Sequence, residues 1–364
     1  MFVAFGATSA PASAGSGDYI VVVKDSSDPG AVAADHARRY GAQAKRLYTS
    51  GLKGYAGAIP RGRVDDVRAD SRVSYVERDA PVHSVSQTIP WGISKVGATV
   101  SPTALAGNGS GTVPNVTASV IDTGIASHTD LNIRTYVNYA GGQSTDCNGH
   151  GTHVSGTIAA RDNTQYVVGV APGIPLVSVK VLGCSGSGWT SNVISGVNYV
   201  TSHVGSTPGR DVANMSLGGG ASKALDDAVK SSVAAGATYS IAAGNEGANA
   251  CNSSPARTGT TNGVITTAAT DSADREASWS NYGSCVDIWA PGVSILSTWK
   301  NGGTATLSGT SMAAPHVGGG AALYLATHAA SPATTESALK SAARLPGTKS
   351  KDGRSISRLY VGGF

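Results

Sequence analysis

The chain has 364 residues, of which 48 are Gly and 14% are charged. Glycine is about 13%, against roughly 7% in an average protein, and the length allows one large domain or two smaller ones. With 40% hydrophobic residues and a net charge of +4, composition argues against disorder and gives no case for nucleic acid, and no apolar run reaches the ~20 residues of a membrane span.

Residues 1–17 carry no charge and read MFVAFGATSAPASAGSG. Ala12-Ser13-Ala14 resembles a signal-peptidase site, but a positive n-region is missing and the apolar run is short. The segment reads either as the tail of a secretion signal that starts upstream or as a disordered leader. Residues 18–83 read as a small α/β unit. DYIVVVKD is a strand. The spacing of Val32, Ala33, His36, Ala37 and Tyr40 predicts a helix over 29–40, opened by Pro29 and stopped by Gly41. Two β-rich stretches at 45–48 and 54–59, a helix over 64–69 and a strand over 73–77 complete a βαββαβ, ferredoxin-like order. This unit holds 20 charges in 66 residues, whereas 84–364 holds 30 in 281. The step near 84 reads as a domain boundary or as a charged subdomain of one continuous fold.

Beyond residue 90, strands alternate with helices. VTASVID, LVSVKVL, DVANMS, ATYSIAAG and GVITTAA read as strands. Segments 151–160, 191–204, 223–234 and 312–328 read as helices. Such alternation predicts a parallel sheet covered on both faces, with ligands at the carboxyl ends of the strands. The four cysteines are widely spaced, which suits two disulfides in any of three pairings and an oxidising compartment. Cys147, His150, His153 and Cys184 offer zinc ligation as the alternative.

Four residues at strand ends or helix starts could carry chemistry. Asp122 ends VTASVID, where an acid can orient another group or simply form a turn. His150 lies between two glycines in NGHGTH, and glycines let a backbone or substrate approach closely. Asn245 follows a strand in AAGNEG, either as an amide donor or as a turn residue. Ser311, at the start of the helix expected over 312–328, sits where free N–H groups would stabilise an oxyanion, or acts as an N-cap. Pro315 is expected in that helix's first turn.

In chain order, VIDTGI at 120–125, NGHGTHVSGT at 148–157, AAGNEG at 242–247 and GTSMAAPHV at 309–317 resemble the motifs of the subtilisin-like serine proteases, or subtilases. PWGI at 90–93, LGCSGSGW at 182–189 and SNYGSCVDIWAPG at 280–292 are similar to the proteinase K and aqualysin branch. The resemblance implies an α/β class: a three-layer α/β/α fold with a mainly parallel central sheet, preceded by a small ferredoxin-like α+β propeptide domain. It implies a leader at 1–17, an inhibitor-type propeptide at 18–83 and a catalytic domain at 84–364, with the mature start near 84–87. VERDAPVHSVS would run into the cleft as a product-like tail. Asp122, His150 and Ser311 become the triad, and Asn245 the side-chain donor to the oxyanion. Ser216, Leu217 and Gly218, with Gly186, Ser187 and Gly188, would pair with substrate backbone, and Ala242, Ala243 and Gly244 would line the primary pocket for an apolar or aromatic side chain. The disulfides implied are Cys147–Cys184 and Cys251–Cys285. Val154 departs from the branch, which often has a Cys there.

No catalytic cofactor is implied. Calcium is, at Asp287 with carbonyls of Asn262 and Val264. The activity expected is that of a secreted, monomeric, self-processing endopeptidase acting on polypeptides, inhibited by its own propeptide and engaging no nucleic acid or membrane. A catalytically silent binding protein on the same fold is the alternative. An α/β-hydrolase esterase is excluded by chain order and by the lack of G-x-S-x-G.

Overall fold

The computed structural model describes residues 16–79, 87–109, 111–205 and 211–364. The expected leader at 1–15 and the stretch 80–86, which contains most of the expected processing junction, lie outside the described residues. The chain divides into two compact units, 1–84 and 85–364.

In the first unit, strands β1 (Ser16–Val23), β2 (Gln43–Tyr48), β3 (Gly54–Pro60) and β4 (Val73–Arg78) form an antiparallel sheet in the order β2-β3-β1-β4. Helices α1 (Pro29–Tyr40) and α2 (Val64–Arg68) connect them. Asp28 caps α1, its Oδ1 accepting the Ala31 N–H at 2.7 Å, and Gly41 ends it at a φ of 70°. Val21, Tyr55, Ile59 and Val67 fill the core. Many of this unit's charges pair within it: Arg72 bridges Asp35 and Asp70 at 2.6 Å each.

The second unit is built on seven parallel strands in the order β13-β12-β10-β8-β5-β7-β6: β5 (Thr117–Asp122), β6 (Ile133–Asn138), β7 (Leu176–Lys180), β8 (Asp211–Met215), β10 (Thr238–Ala242), β12 (Val264–Thr270) and β13 (Ile288–Pro291). Short pieces flank it: helix α3 (Trp91–Lys95), the pair β9 (Gly219–Gly220) and β11 (Ser253–Ser254), and the hairpin β14 (Ile295–Thr298) and β15 (Thr304–Leu307). One face of the sheet carries α4 (His150–Ala159) and α7 (Thr310–Thr327), and the other α5 (Thr190–His203) and α6 (Lys223–Ala235); α8 (Pro332–Ala342) packs on α7. The central strands are apolar on both sides, as a doubly covered parallel sheet requires. In β5, Val120 joins the core with Ile158 and Val317, while Ile121 joins that with Val197 and Met215.

The observed helices begin one residue earlier than expected at α4 and α5, and α7 begins two earlier. That shift corrects the reading of Pro315. Ser311 is the second helical residue and Pro315 the sixth, beyond the first turn. Strand β6 gave no apolar signal because it is an edge strand whose side chains are half-buried or exposed.

Candidate active site

Chain connections leave β5 in both directions: β6 and β7 lie on one side, and β8, β10, β12 and β13 on the other. The carboxyl end of such a strand opens a crevice, and Asp122 is its last residue. Asp122 is fully buried. Its Oδ1 accepts the Thr123 N–H at 2.7 Å and lies 2.8 Å from His150 Nδ1.

His150 opens α4, preceded by Gly149 at a φ of 112°, in the left-handed region that favours glycine. Gly151 follows, and its N–H donates to Thr123 Oγ1 at 2.9 Å. A Cβ at 151 would fall 2.1 Å from the Gly124 carbonyl oxygen. The two segments meet because this residue has no side chain.

Sequence reading missed Asp146, whose buried carboxylate ties these pieces together. Its Oδ1 accepts from Thr123 Oγ1 at 2.9 Å, Asn148 N at 2.9 Å and Gly149 N at 2.8 Å. Its Oδ2 accepts from Thr152 N at 3.0 Å and Thr152 Oγ1 at 2.6 Å. An Asp four residues before a helix start, in Asp146-Cys147-Asn148-Gly149, was the signal. Buried Lys180 ends β7 and donates to the Thr123 carbonyl at 2.5 Å. Burial lowers its pKa, with Asp146 and Asp122 opposing. Burial also pulls the His150 pKa down, but Asp122's charge and hydrogen bond, with Asp146's charge, leave it above the ordinary value.

Ser311 lies in the first turn of α7. Its hydroxyl donates to the Ser216 carbonyl at 3.0 Å, and the Ser216 hydroxyl donates to the Ser311 carbonyl at 2.8 Å. Pro315 explains the second bond. It has no N–H to offer the carbonyl four residues before it, so Ser216 takes that place. No hydrogen bond joins Ser311 to His150 among the described residues. Asn245 is oriented from one side: Oδ1 accepts the Thr310 N–H at 2.9 Å and the Thr310 hydroxyl at 3.0 Å. Asn245 is exposed, and its Nδ2 lies beside Gly309, the residue before α7.

A cleft of about 440 Å³ is lined by His150, by Gly186, Ser187 and Gly188, and by Ser216, Leu217 and Gly218. Leu182, Val193 and Leu225 make its apolar floor, and Trp189, 78% exposed, stands at its edge. Ala242 and Ala243 are buried, and neither they nor Gly244 line this cleft. Cys147 is bonded to Cys184, and Cys251 to Cys285. The first bridge joins the segment before His150 to the loop of Gly186, and Asn148 Nδ2 donates to the Cys184 carbonyl at 3.0 Å. It also removes the zinc reading, because both sulfurs are spent. His153 Nε2 is engaged by the Ile295 and Ala305 carbonyls at 3.0 and 3.1 Å, and burial lowers its pKa to about 4.

Asp287, the carboxylate expected to hold calcium, already faces a cation and an N–H. Asp287 Oδ1 is 3.0 Å from the Lys340 ammonium, and Oδ2 accepts the Thr266 N–H at 2.9 Å. The Gln87 amide Nε2 has four oxygen neighbours: the Arg161, Val167 and Gln165 carbonyls at 2.7, 3.2 and 3.4 Å, and Asn163 Oδ1 at 3.5 Å. An amide nitrogen has two hydrogens and cannot serve four acceptors. With the amide turned over, its oxygen joins an all-oxygen set suited to a hard cation. Asp130 borders the cage, accepting from Asn163 Nδ2 at 2.8 Å and Val167 N at 3.2 Å. Four of these oxygens come from the loop 161–167, but the amide that meets them, Gln87, is more than seventy residues away in sequence, so no local motif announced the cage.

A model of the subtilase family, peptidase S8, matches residues 114–362. The chain is 45% identical over 310 residues to the extracellular serine proteinase of Thermus sp. strain Rt41A, covering 82% of this chain and 73% of that protein. It is 43% identical over 320 residues to alkaline serine exoprotease A of Vibrio alginolyticus, covering 84% of this chain but only 58% of the relative. Among solved structures, a cold adapted subtilisin-like serine proteinase matches with a TM-score of 0.65 and 41% identity, over 74% of this chain and 97% of that one.

Proposed function

The chain belongs to the subtilase family, and from that premise we propose that it is a secreted serine endopeptidase with Asp122, His150 and Ser311 as its triad. The observation that carries this reading is the 2.8 Å contact between Asp122 and His150 at the strand switch point, beside the cleft. Asp122 holds His150 as the Nδ1–H tautomer, leaving Nε2 as the base, and later stabilises the imidazolium. Ser311 turns about χ1 from the Ser216 carbonyl towards Nε2, gives up its proton and attacks the scissile carbonyl. Asn245 Nδ2 and the Ser311 N–H, at the positive end of α7, receive the oxyanion. The protonated His150 then gives its proton to the leaving amine, and water releases the acyl group.

Substrate adds as an extended strand between Ser216-Leu217-Gly218 and Gly186-Ser187-Gly188. Backbone pairing reads no sequence, so specificity is broad. Ala242, Ala243 and Gly244 remain the proposed backbone wall of the primary pocket, which favours an apolar or aromatic residue. The unit at 18–83 is the propeptide, a chaperone and inhibitor that the enzyme removes from itself between 83 and 87. The monomer is the active form. Secretion agrees with the disulfides and with the extracellular naming of the Thermus relative. A structural calcium is held by Gln87, Asn163 and the carbonyls of Arg161, Gln165 and Val167, with Asp130 at its border; it stabilises the fold and takes no part in the chemistry.

Ser311→Ala tests the proposal. It should accumulate as an uncleaved precursor without caseinolytic activity or labelling by an active-site phosphonate. Self-processing by that variant would refute the mechanism. An unlabelled parent chain without activity would favour the silent binding protein.

A further inference from the structure

The carboxylate that the family resemblance marks for calcium sits in an unexpected setting. Asp287 and Glu336 both have nearly buried side chains, and the Lys340 ammonium lies 3.0 Å from an oxygen of each. Their other oxygens are also occupied: Asp287 Oδ2 accepts the Thr266 N–H, and Glu336 Oε2 accepts the Gly263 N–H at 2.6 Å. Glu336 and Lys340 are one turn apart on α8, so this helix supplies both an acid and the cation that bridges it to Asp287. Gly263 immediately precedes β12, Thr266 is its third residue, and Asp287 immediately precedes β13. One ammonium therefore joins two sheet strands to α8, at the carboxylate where the resemblance implies calcium.

We propose that Lys340 is a built-in cation: its ammonium fills the place between Asp287 and Glu336, and this corner of the protein is held without a metal. A calcium ion between the same two oxygens would have to expel the ammonium or sit against a like charge. The lysine also has a lasting advantage over an ion, because it is tethered to the chain and is not lost by dilution or chelation. Its role is in stability and is independent of proteolysis.

The test uses the full chain carrying Ser311→Ala, to prevent self-digestion. Bound calcium per chain is counted by native mass spectrometry, and melting is followed in chelator and in millimolar calcium. Asp287→Asn should bind as many calcium ions as the parent, and its loss of one ion would overturn the proposal. Lys340→Met should gain one ion, should melt roughly 5–10 °C lower in chelator, and should recover with calcium. A Lys340→Met chain that gains no ion would also overturn it. Should that variant fail to fold, Lys340→Gln replaces it under the same criteria, and the Asp287→Asn count needs neither.

Discussion

Replacing Asn245 by Ala isolates one donor of the proposed oxyanion hole. The side chain is anchored through Oδ1 alone, by Thr310 N at 2.9 Å and Thr310 Oγ1 at 3.0 Å, and Nδ2 is left for the substrate. A donor that meets charge only in the transition state contributes about 3–4 kcal/mol, a magnitude established on a subtilisin rather than read from these distances. At about 1.4 kcal/mol per factor of ten, kcat should fall roughly 10²–10³-fold with KM nearly unchanged. Thr310→Val is the graded companion. It removes one of the two anchors of Asn245, a neutral hydrogen bond of about 1 kcal/mol, and also the acceptor of the Gly244 N–H, so kcat should fall at least about fivefold. In the Asn245→Ala background only the part that acts through Gly244 should remain, because there is no amide left to orient. The assay is peptide-anilide hydrolysis, normalised by active-site titration. An Asn245→Ala enzyme that loses less than about tenfold in kcat, or that changes KM alone, would refute the assignment.

Asp146→Asn should move the acid limb of the kcat/KM profile to lower pH. Asp146 helps hold the His150 pKa above about 6.5, and activity is lost as the base protonates, so removing that charge extends activity downward; an unmoved limb between about pH 5 and 9 contradicts the role. Gly151→Ala places a Cβ 2.1 Å from the Gly124 oxygen and forces a shift of about 1 Å between Asp122 and His150. Its kcat should drop about 10²-fold while circular dichroism reports an intact fold, and wild-type kcat would contradict the packing argument. Gln87→Ala should lose calcium-dependent stability, worth about 2.7 kcal/mol at a calcium level 100 times the dissociation constant. Melting in chelator and in calcium checks this, and a variant as calcium-responsive as the parent moves the ion elsewhere.

The sheet and its main helices were legible because the central strands are apolar on both faces and the helices between them are punctuated by glycine. The four candidate residues were legible because each stands in a local motif at an element's end. Asp146 was not, since its importance lies in five hydrogen bonds that only the fold assembles. Lys340 and Glu336 lie far from Asp287 in sequence, so the motif VDIWAPG suggested a ligand and gave no hint of the ammonium opposite it. The cage around Gln87 escaped for the same reason. Pro315 falls in the first turn only if the helix starts at Met312, and two residues decide which carbonyl a proline leaves free.

The paired hydrogen bonds between Ser311 and Ser216 give the proposed enzyme a resting state with its nucleophile unarmed. The hydroxyl proton is spent on the Ser216 carbonyl, which belongs to the proposed substrate-binding edge. An extended peptide adding to that edge in the proposed way would bring an N–H to the same oxygen, weakening its hold on Ser311 and freeing the rotation towards His150. Docking and arming then share one atom.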